Sequence, residues 1–189
     1  FATFLSSLAI DNLYPEWHIW SQFLNDDMGW GYSIDGLVTT HPIEVEVHHP
    51  DQIDEIFDGI SYAKGASVIR MMTDYLGEKD FRDGLRYYLK KHSYKNTSTV
   101  HLWEAFEKIS GKPVRKMMTA WTTKSGHPVV SASVDKFGRL NIKQSRYFLS
   151  PITKAVTKDN TTWPIPIKLR TLGADKSHYV YMTEKKINL

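Results

Sequence analysis

Apolar side chains recur at helical spacing through the first two thirds of the chain. The clearest run covers residues 59–76 and predicts a buried helix. Similar patterns predict helices over residues 1–13, from Pro15 through Leu24, and over residues 80–92, 100–109 and 113–125. Residues 36–51 form an extended interruption, because His41 precedes Pro42 and a residue before proline is restricted to extended backbone. We therefore predict a helical region over residues 1–126.

From residue 127 onward the period of the apolar positions changes from 3.6 to 2, which is the period of a strand. Strands are predicted over residues 130–134, 140–144, 163–172 and 177–182, joined in pairs by turns. Pro164 and Pro166 restrict their strand to an edge position. Four strands are few for a sandwich of two sheets. The predicted fold class is therefore α+β, with residues 127–189, the β-module, as a truncated antiparallel unit.

Composition narrows the function classes. The 189 residues carry 24 Lys and Arg against 21 Asp and Glu, a net charge of +3, and the basic residues are scattered. A nucleic-acid face would need a denser basic stripe, so no nucleic acid is expected as a partner. No apolar run approaches the ~20 residues of a membrane span. The absence of cysteine excludes disulfides and thiolate metal sites, and it fits a cytoplasmic location.

The segment that carries the most chemistry is Phe57-Asp58-Gly59-Ile60-Ser61-Tyr62-Ala63-Lys64-Gly65-Ala66-Ser67. Its tyrosine, Tyr62, lies on the first turn of the helix predicted over residues 59–76, where core packing rather than a hydroxyl is expected. Spacing alone favours a core tyrosine that satisfies its hydroxyl locally.

No other pattern in the sequence specifies a reaction. There is no His-Glu-x-x-His motif, and the adjacent His48 and His49 would point to opposite faces of an extended segment. Gly-x-Ser-x-Gly and Gly-x-Gly-x-x-Gly are also missing. No metal site is therefore expected from the residues of this chain alone.

Residues 55–67 resemble the tyrosine motif of the gluzincin zinc aminopeptidases, the group that contains aminopeptidase N, puromycin-sensitive aminopeptidase and the archaeal tricorn-interacting aminopeptidases. Further segments match that family in order: Phe1-Ala2-Thr3-Phe4, Thr40-His41-Pro42-Ile43, Leu102-Trp103, Ser110-Gly111-Lys112-Pro113, Met118, Trp121-Thr122 and Gly126-His127-Pro128. The last segment resembles a Gly-aromatic-Pro motif in which histidine replaces the aromatic residue. The resemblance extends over residues 1–170.

The resemblance implies the helical C-terminal half of a thermolysin-like catalytic domain over residues 1–126, followed by the start of a β-sandwich domain over residues 127–189. It implies a parent enzyme that removes N-terminal residues from peptide substrates with one zinc ion. Tyr62 would donate a hydrogen bond to the oxyanion of the reaction. Lys64 is open between a surface position, a supporting position and a direct catalytic role.

The same resemblance places the last zinc ligand two positions before Phe1. The expectation is a fragment without zinc ligands, without the general-base glutamate and without the loop that binds the substrate's amino terminus. Such a fragment would be inactive alone, and its main partner would be the remaining half of the catalytic domain. No residue that binds substrate can be named from the sequence.

Three alternatives stay open. The parent could be a relative without peptidase activity that serves as a scaffold or interaction module, although such a relative has no need of Tyr62. It could be an epoxide-opening relative, whose tyrosine segment is typically Pro-Tyr-Glu-Lys-Gly rather than the Ser-Tyr-Ala-Lys-Gly found at residues 61–65. An unrelated helical binding module would require the ordered motifs to be coincidence.

Overall fold

Seven α-helices build the first part of the chain. The computed structural model describes residues 1–189. The helices are α1 (Ala2–Leu13), α2 (Ile19–Asn25), α3 (Asp27–Asp35), α4 (Gly65–Leu76), α5 (Glu78–Lys91), α6 (Thr99–Ser110) and α7 (Val114–Thr123). Short 3₁₀ turns cover Pro15–Trp17, Pro50–Gln52 and Asp54–Ile56, and a π-helical turn, Ile60–Lys64, leads directly into α4. No helix combines the length and the apolar character that crossing a membrane requires.

The helix predicted from Pro15 is divided. It begins as the 3₁₀ turn Pro15–Trp17 and restarts as α2, because His18 adopts left-handed backbone with φ of 50° and no α-helix continues through such a residue. The other predicted helices agree with the structure to within a few residues, apart from the π-helical start of the helix predicted at residue 59. The predicted extended segment contains no strand, and its longest irregular stretch is residues 36–49.

The antiparallel character of the β-module is confirmed. Its elements are β1 (Pro128–Val134), β2 (Leu140–Arg146), α8 (Pro151–Val156), β3 (Ile165–Leu169), β4 (His178–Met182) and β5 (Lys186–Asn188). One sheet has the order β1-β2-β5, with Ala132 opposite Ile142 and Ile142 opposite Ile187. The other sheet pairs β3 with β4. The short β5 and α8 were not predicted, whereas the proline-containing β3 has a single partner, as expected for an edge strand.

One hydrophobic core joins the helices to the β-module. Buried side chains of α4, α6 and α7 and of the strands belong to a single cluster, which includes Met72, Phe106, Met117, Met118, Ile142, Trp163 and Met182. The Trp121 indole N–H on α7 donates a 2.8 Å hydrogen bond to the Pro164 carbonyl. The change from helix to strand falls where the sequence places it, between α7 and β1. The assignment of residues 127–189 to a separate domain stays a prediction.

Candidate active site at the Tyr62 turn

Tyr62 lies in the π-helical turn Ile60–Lys64, which we call the Tyr62 turn. In a continuous α-helix Tyr62 would share a face with Ala66 and Ile69, four and seven residues further on, and both are buried. The hydrogen bonds between residues five apart insert one extra residue and shift the helical phase at this point. The Tyr62 side chain is consequently 45% exposed. The core-tyrosine alternative is therefore wrong.

The Tyr62 hydroxyl is available for a ligand. The side-chain hydrogen bonds of the Tyr62 turn come from Ser61, which donates to the Ile56 carbonyl, and from Lys64 on the opposite side. The ring of Tyr62 is tilted by 37° against that of Phe57, with centroids 6.3 Å apart. The two aromatic side chains form an exposed apolar surface with one hydroxyl on it.

Asp58 caps the start of the Tyr62 turn. Its Oδ1 accepts hydrogen bonds from the backbone N–H groups of Ile60 (2.9 Å) and Ser61 (3.1 Å). Its Oδ2 lies 2.8 Å from His41 Nε2, while His41 Nδ1 lies 2.7 Å from the Pro42 carbonyl. Both ring nitrogens of His41 thus lie within hydrogen-bond distance of an acceptor oxygen. The His41-Pro42 segment is thereby tied to the tyrosine segment.

Lys64 is buried, so the surface alternative for this residue is wrong. Its side chain is 6% exposed, and its Nζ donates to Asp35 Oδ1 (3.0 Å), to the Gly126 carbonyl (2.8 Å) and to the Lys124 carbonyl (3.3 Å). Asp35, 2% exposed, also accepts from the Gly126 N–H at 3.0 Å. The pair thus connects α3, the Tyr62 turn and the junction between α7 and β1.

Burial and hydrogen bonding act on the pKa values of this pair in opposite ways. Burial lowers the pKa of Lys64 below its ordinary value, and the nearby Asp35 carboxylate opposes that shift only in part. Burial alone would raise the pKa of Asp35, but the hydrogen bond from His127 and the charge and hydrogen bond of Lys64 outweigh it, so the pKa of Asp35 is lowered. Asp35 is therefore a carboxylate at neutral pH.

His127 lies where the resemblance predicts an aromatic residue, and its imidazole ring packs against neighbouring aromatic rings as such a residue would. Its ring centroid lies 4.9 Å from that of Tyr32 and 5.1 Å from that of Tyr147. Its Nδ1 donates to Asp35 Oδ2 at 2.9 Å, which a purely hydrocarbon ring could not do. The histidine therefore keeps the packing of an aromatic residue and adds a polar contact to the buried carboxylate.

Helix α3 supports the Tyr62 turn through two glycines. A Cβ on Gly59 would lie 2.8 Å from Ile34 Cδ1, and a Cβ on Gly31 would lie 3.3 Å from Ala63 Cβ and 3.4 Å from the Lys64 backbone nitrogen. Both positions therefore require close approach. A Cβ on Gly65 would have its nearest contact at 3.8 Å, which an alanine would tolerate.

The sequence profile of the peptidase family M1 domain matches residues 1–121. The chain belongs to peptidase family M1. The predicted family is thus confirmed, and with it the expectation of an aminopeptidase-type metallopeptidase sequence.

The sequence of the chain aligns with those of named aminopeptidases and related proteins over nearly its whole length. It is 50% identical to Aminopeptidase M1 of Arabidopsis thaliana over 186 residues, which is 98% of this chain and 20% of that protein. It is 44% identical to Tricorn protease-interacting factor F2 of Thermoplasma volcanium over 171 residues, 90% of this chain and 21% of that protein. It is 42% identical over its full length to Aminopeptidase 2, mitochondrial, of Saccharomyces cerevisiae, of which it covers 20%. The chain spans about one fifth of the length of these relatives.

The side chains of this chain that could bind a metal ion do not form a zinc site. No three His, Asp or Glu side chains come together in a way that could hold a metal ion. His48 and His49 are exposed and lie near the exposed carboxylates of Glu46 and Asp51, and His41 is occupied by Asp58. The zinc that the resemblance implies for the parent therefore does not fit the residues present here.

Two cavities flank the Tyr62 turn in this M1 chain. One, of about 260 Å³, has polar walls of Asp35, Lys64 and His127 and apolar walls that include Met71 and Trp121. The other, of about 350 Å³, is lined by residues that include Ser61, Gly65, Leu102 and Trp103.

The sequence singled out Tyr62 as a candidate residue, but it did not reveal the supporting contacts of Asp35, His41 and Asp58. The Thr-His-Pro-Ile motif contains His41 but gives no sign of its contact with Asp58.

Proposed function

We propose that this chain is part of a zinc aminopeptidase and that Tyr62 donates a hydrogen bond to the oxyanion formed during hydrolysis of the N-terminal peptide bond. The observation that carries the proposal is a tyrosine side chain, 45% exposed, on a π-helical turn that Asp58 caps and that Lys64 ties to Asp35. π-Helical turns occur frequently at functional sites. Membership of family M1 and relatives named aminopeptidases support the reaction class.

The chemistry assigned to Tyr62 is electrostatic. When water adds to the scissile carbonyl carbon, the π electrons of the carbonyl move to oxygen and create an oxyanion. A tyrosine hydroxyl can donate a hydrogen bond to it. The C–N bond then breaks, the carbonyl re-forms, and the amine leaves with a proton. A donor fixed toward charge that develops in the transition state lowers the barrier more than it stabilises the substrate.

The test is Tyr62→Phe in the full-length enzyme, assayed with an aminoacyl-p-nitroanilide. Removal of one oxyanion donor typically lowers kcat by about 10²–10³-fold, and we expect that loss with little change in KM. Tyr14→Phe is the matched control, because Tyr14 is also 45% exposed and also lies against an aromatic ring, that of Trp17. An unchanged kcat for Tyr62→Phe would refute the role. A wild-type enzyme without any turnover would instead favour the scaffold alternative.

We also propose that zinc is a cofactor of the whole protein, held by residues outside these 189, and that the isolated chain is inactive. The absence of a three-donor cluster supports this. Purified chain dialysed against zinc should bind no stoichiometric ion when measured by atomic absorption, and it should not hydrolyse the anilide. Stoichiometric zinc together with turnover would contradict the proposal.

The proposed partners are peptide substrates and the remaining half of the catalytic domain. Large apolar side chains are exposed along α1 to α3 and the following loop, including Leu13, Trp17, Leu24, Trp30 and Val38. Large exposed apolar patches are typical of contacts with other proteins. The cytoplasmic location stays a prediction, and one relative is the Saccharomyces cerevisiae protein Aminopeptidase 2, mitochondrial.

A further inference from the structure

The buried ammonium group of Lys64 has the full set of hydrogen bonds that a lysine can make. A lysine has three N–H donors, and Nζ has three acceptors, on Asp35, Lys124 and Gly126. Lys64 is the last residue of the Tyr62 turn and follows Tyr62 by two positions. The two side chains leave the turn in different directions, one into the interior and one to the exposed surface.

The Asp35 carboxylate, which accepts from Lys64, is also held in place by hydrogen bonds from other residues. Asp35 Oδ1 also accepts from the Gly126 N–H at 3.0 Å and from the Thr40 hydroxyl at 3.1 Å, and Oδ2 accepts from His127. These contacts come from the loop after α3 and from the segment between α7 and β1. Lys64 is therefore bound to a frame that spans the junction with the β-module.

A π-helical turn needs such an external attachment. π-Helical turns are rare in comparison with α-helix. If the turn lost its external contacts, residues 60–64 would therefore be expected to return to the α-helical phase. That phase would carry Tyr62 toward the buried face of Ala66 and Ile69. A buried ion pair is in addition a poor source of net stability, since apolar side chains can often replace it without loss.

We infer that Lys64 is a positioning residue: its ammonium group, bound to Asp35 and to the Gly126 carbonyl, holds the Tyr62 turn in the phase that presents the Tyr62 hydroxyl to the substrate. This inference rests on the proposed function of Tyr62. It also means that the junction between the helices and the β-module sets the position of the hydroxyl.

The test compares two variants of the full-length enzyme. Lys64→Met removes the ammonium group but leaves the Asp35 carboxylate buried without its cation, so a loss of stability is expected. Adding Asp35→Asn removes that charge and keeps an amide oxygen for the Gly126 N–H and the Thr40 hydroxyl. In the double variant Tm should recover toward the wild-type value, whereas kcat should stay lower by about 10- to 100-fold with KM within about twofold, as expected for a reacting group displaced by about 1 Å.

The matched control is Lys112→Met. Lys112 also binds backbone carbonyls, those of Tyr75 and Leu76, but at the far end of α4 from the Tyr62 turn. It should lower Tm and leave kcat unchanged. If kcat recovers together with Tm in the Lys64→Met/Asp35→Asn double variant, Lys64 is only a structural residue and the inference is overturned.

A spectroscopic measurement separates this inference from the proposed function. With 3-fluorotyrosine at position 62, the ¹⁹F resonance should shift in the double variant, because the surroundings of the ring change, and it should stay in place in Lys112→Met. An unchanged resonance in the double variant overturns the inference even if kcat falls. If Tyr62→Phe leaves kcat unchanged, the proposed function fails, and the resonance alone decides whether Lys64 holds the turn.

Discussion

Two tyrosines of β4 offer a test in which the same substitution should have opposite effects. Tyr179 and Tyr181 both pack against the ring of Tyr75, with centroid distances of 5.3 and 6.0 Å. The Tyr179 hydroxyl donates to Asp74 Oδ2 at 2.6 Å. The Tyr181 hydroxyl is buried and has no hydrogen-bond partner. We therefore expect Tyr181→Phe to stabilise the protein and Tyr179→Phe to destabilise it.

The magnitudes follow from what each hydroxyl contacts. A buried polar group without a partner costs about 1–3 kcal/mol, so removal of the Tyr181 hydroxyl should raise the free energy of unfolding by about 1 kcal/mol. For a chain of this size that corresponds to a Tm increase of about 2–4 °C. Tyr179→Phe removes one hydrogen bond to a carboxylate near the surface and should cost about 1 kcal/mol. The two variants would then differ in Tm by several degrees, with the wild type between them.

Alkaline pH should enlarge the effect at Tyr181. Burial, and then the neighbouring charges of Tyr75 and Glu107, raise the pKa of Tyr181 from 10.0 to about 12. Because this pKa is higher in the folded state, the unfolded chain loses the proton first, and the contribution of Tyr181 to stability is lost as the pH rises from 10 to 12. The phenylalanine variant has no such loss, so its advantage over wild type should grow in that window.

The assay is thermal unfolding of wild type and both variants, followed by differential scanning fluorimetry at pH 7 and at steps between pH 10 and 11.5. The two variants serve as controls for one another, because both keep the aromatic ring. A Tyr181→Phe variant that is less stable than wild type at pH 7 would show that the hydroxyl has a partner. A Tm difference that stays constant above pH 10 would show that Tyr181 does not titrate as its burial requires.

Two further predictions concern the support of the Tyr62 turn. Asp58→Ala removes the cap on Ile60 and Ser61 as well as the charge opposite His41, whereas Asp58→Asn keeps an acceptor. We expect urea denaturation to show a loss of about 0.5–2 kcal/mol from the missing cap in the alanine variant and a smaller loss in the asparagine variant, and equal losses would contradict the cap. Because the pKa of Asp35 is lowered below 3.8, its stabilising effect is present above that pH and is lost as the pH falls through the folded-state value. The stability difference between wild type and Asp35→Asn should therefore narrow below pH 4 in acid titrations followed by circular dichroism, and a difference independent of pH would refute an ionised Asp35.

The helices and the first strands could be predicted because their apolar period is carried by many residues. In α4 and α7 the buried positions recur at helical spacing along most of each helix. β5 has only three residues, and they pair with β2 residues 43 to 47 positions earlier, so no local alternation of apolar residues indicates this strand. The break of the helix at His18 depends on one left-handed residue, for which the sequence offers no glycine as a signal.

The chemistry assigned to Tyr62 stays a prediction from resemblance, and the contacts that support its turn could not be predicted. Resemblance identified Tyr62, while its exposure depends on a π-helical turn that the apolar pattern did not reveal. A signal exists: Ile60 and Ala63 are buried in one phase, and Val68, Ile69 and Met72 in another, so the inward stripe slips near residue 64. The burial of Lys64 could not be inferred, because its carboxylate partner lies 29 positions earlier and its carbonyl partners lie 60 and 62 positions later.

The shared hydrophobic core has a consequence for how such an enzyme could open. Trp163 and Met182 of the β-module are fully enclosed together with Met117 and Met118 of α7. A hinge at residue 126 would have to draw these side chains into water, at a cost of roughly 1.5–3 kcal/mol for each aliphatic side chain. The helices and the strands should therefore travel as a single body. If Tyr62 acts as proposed, substrate would have to reach it without a hinge at residue 126.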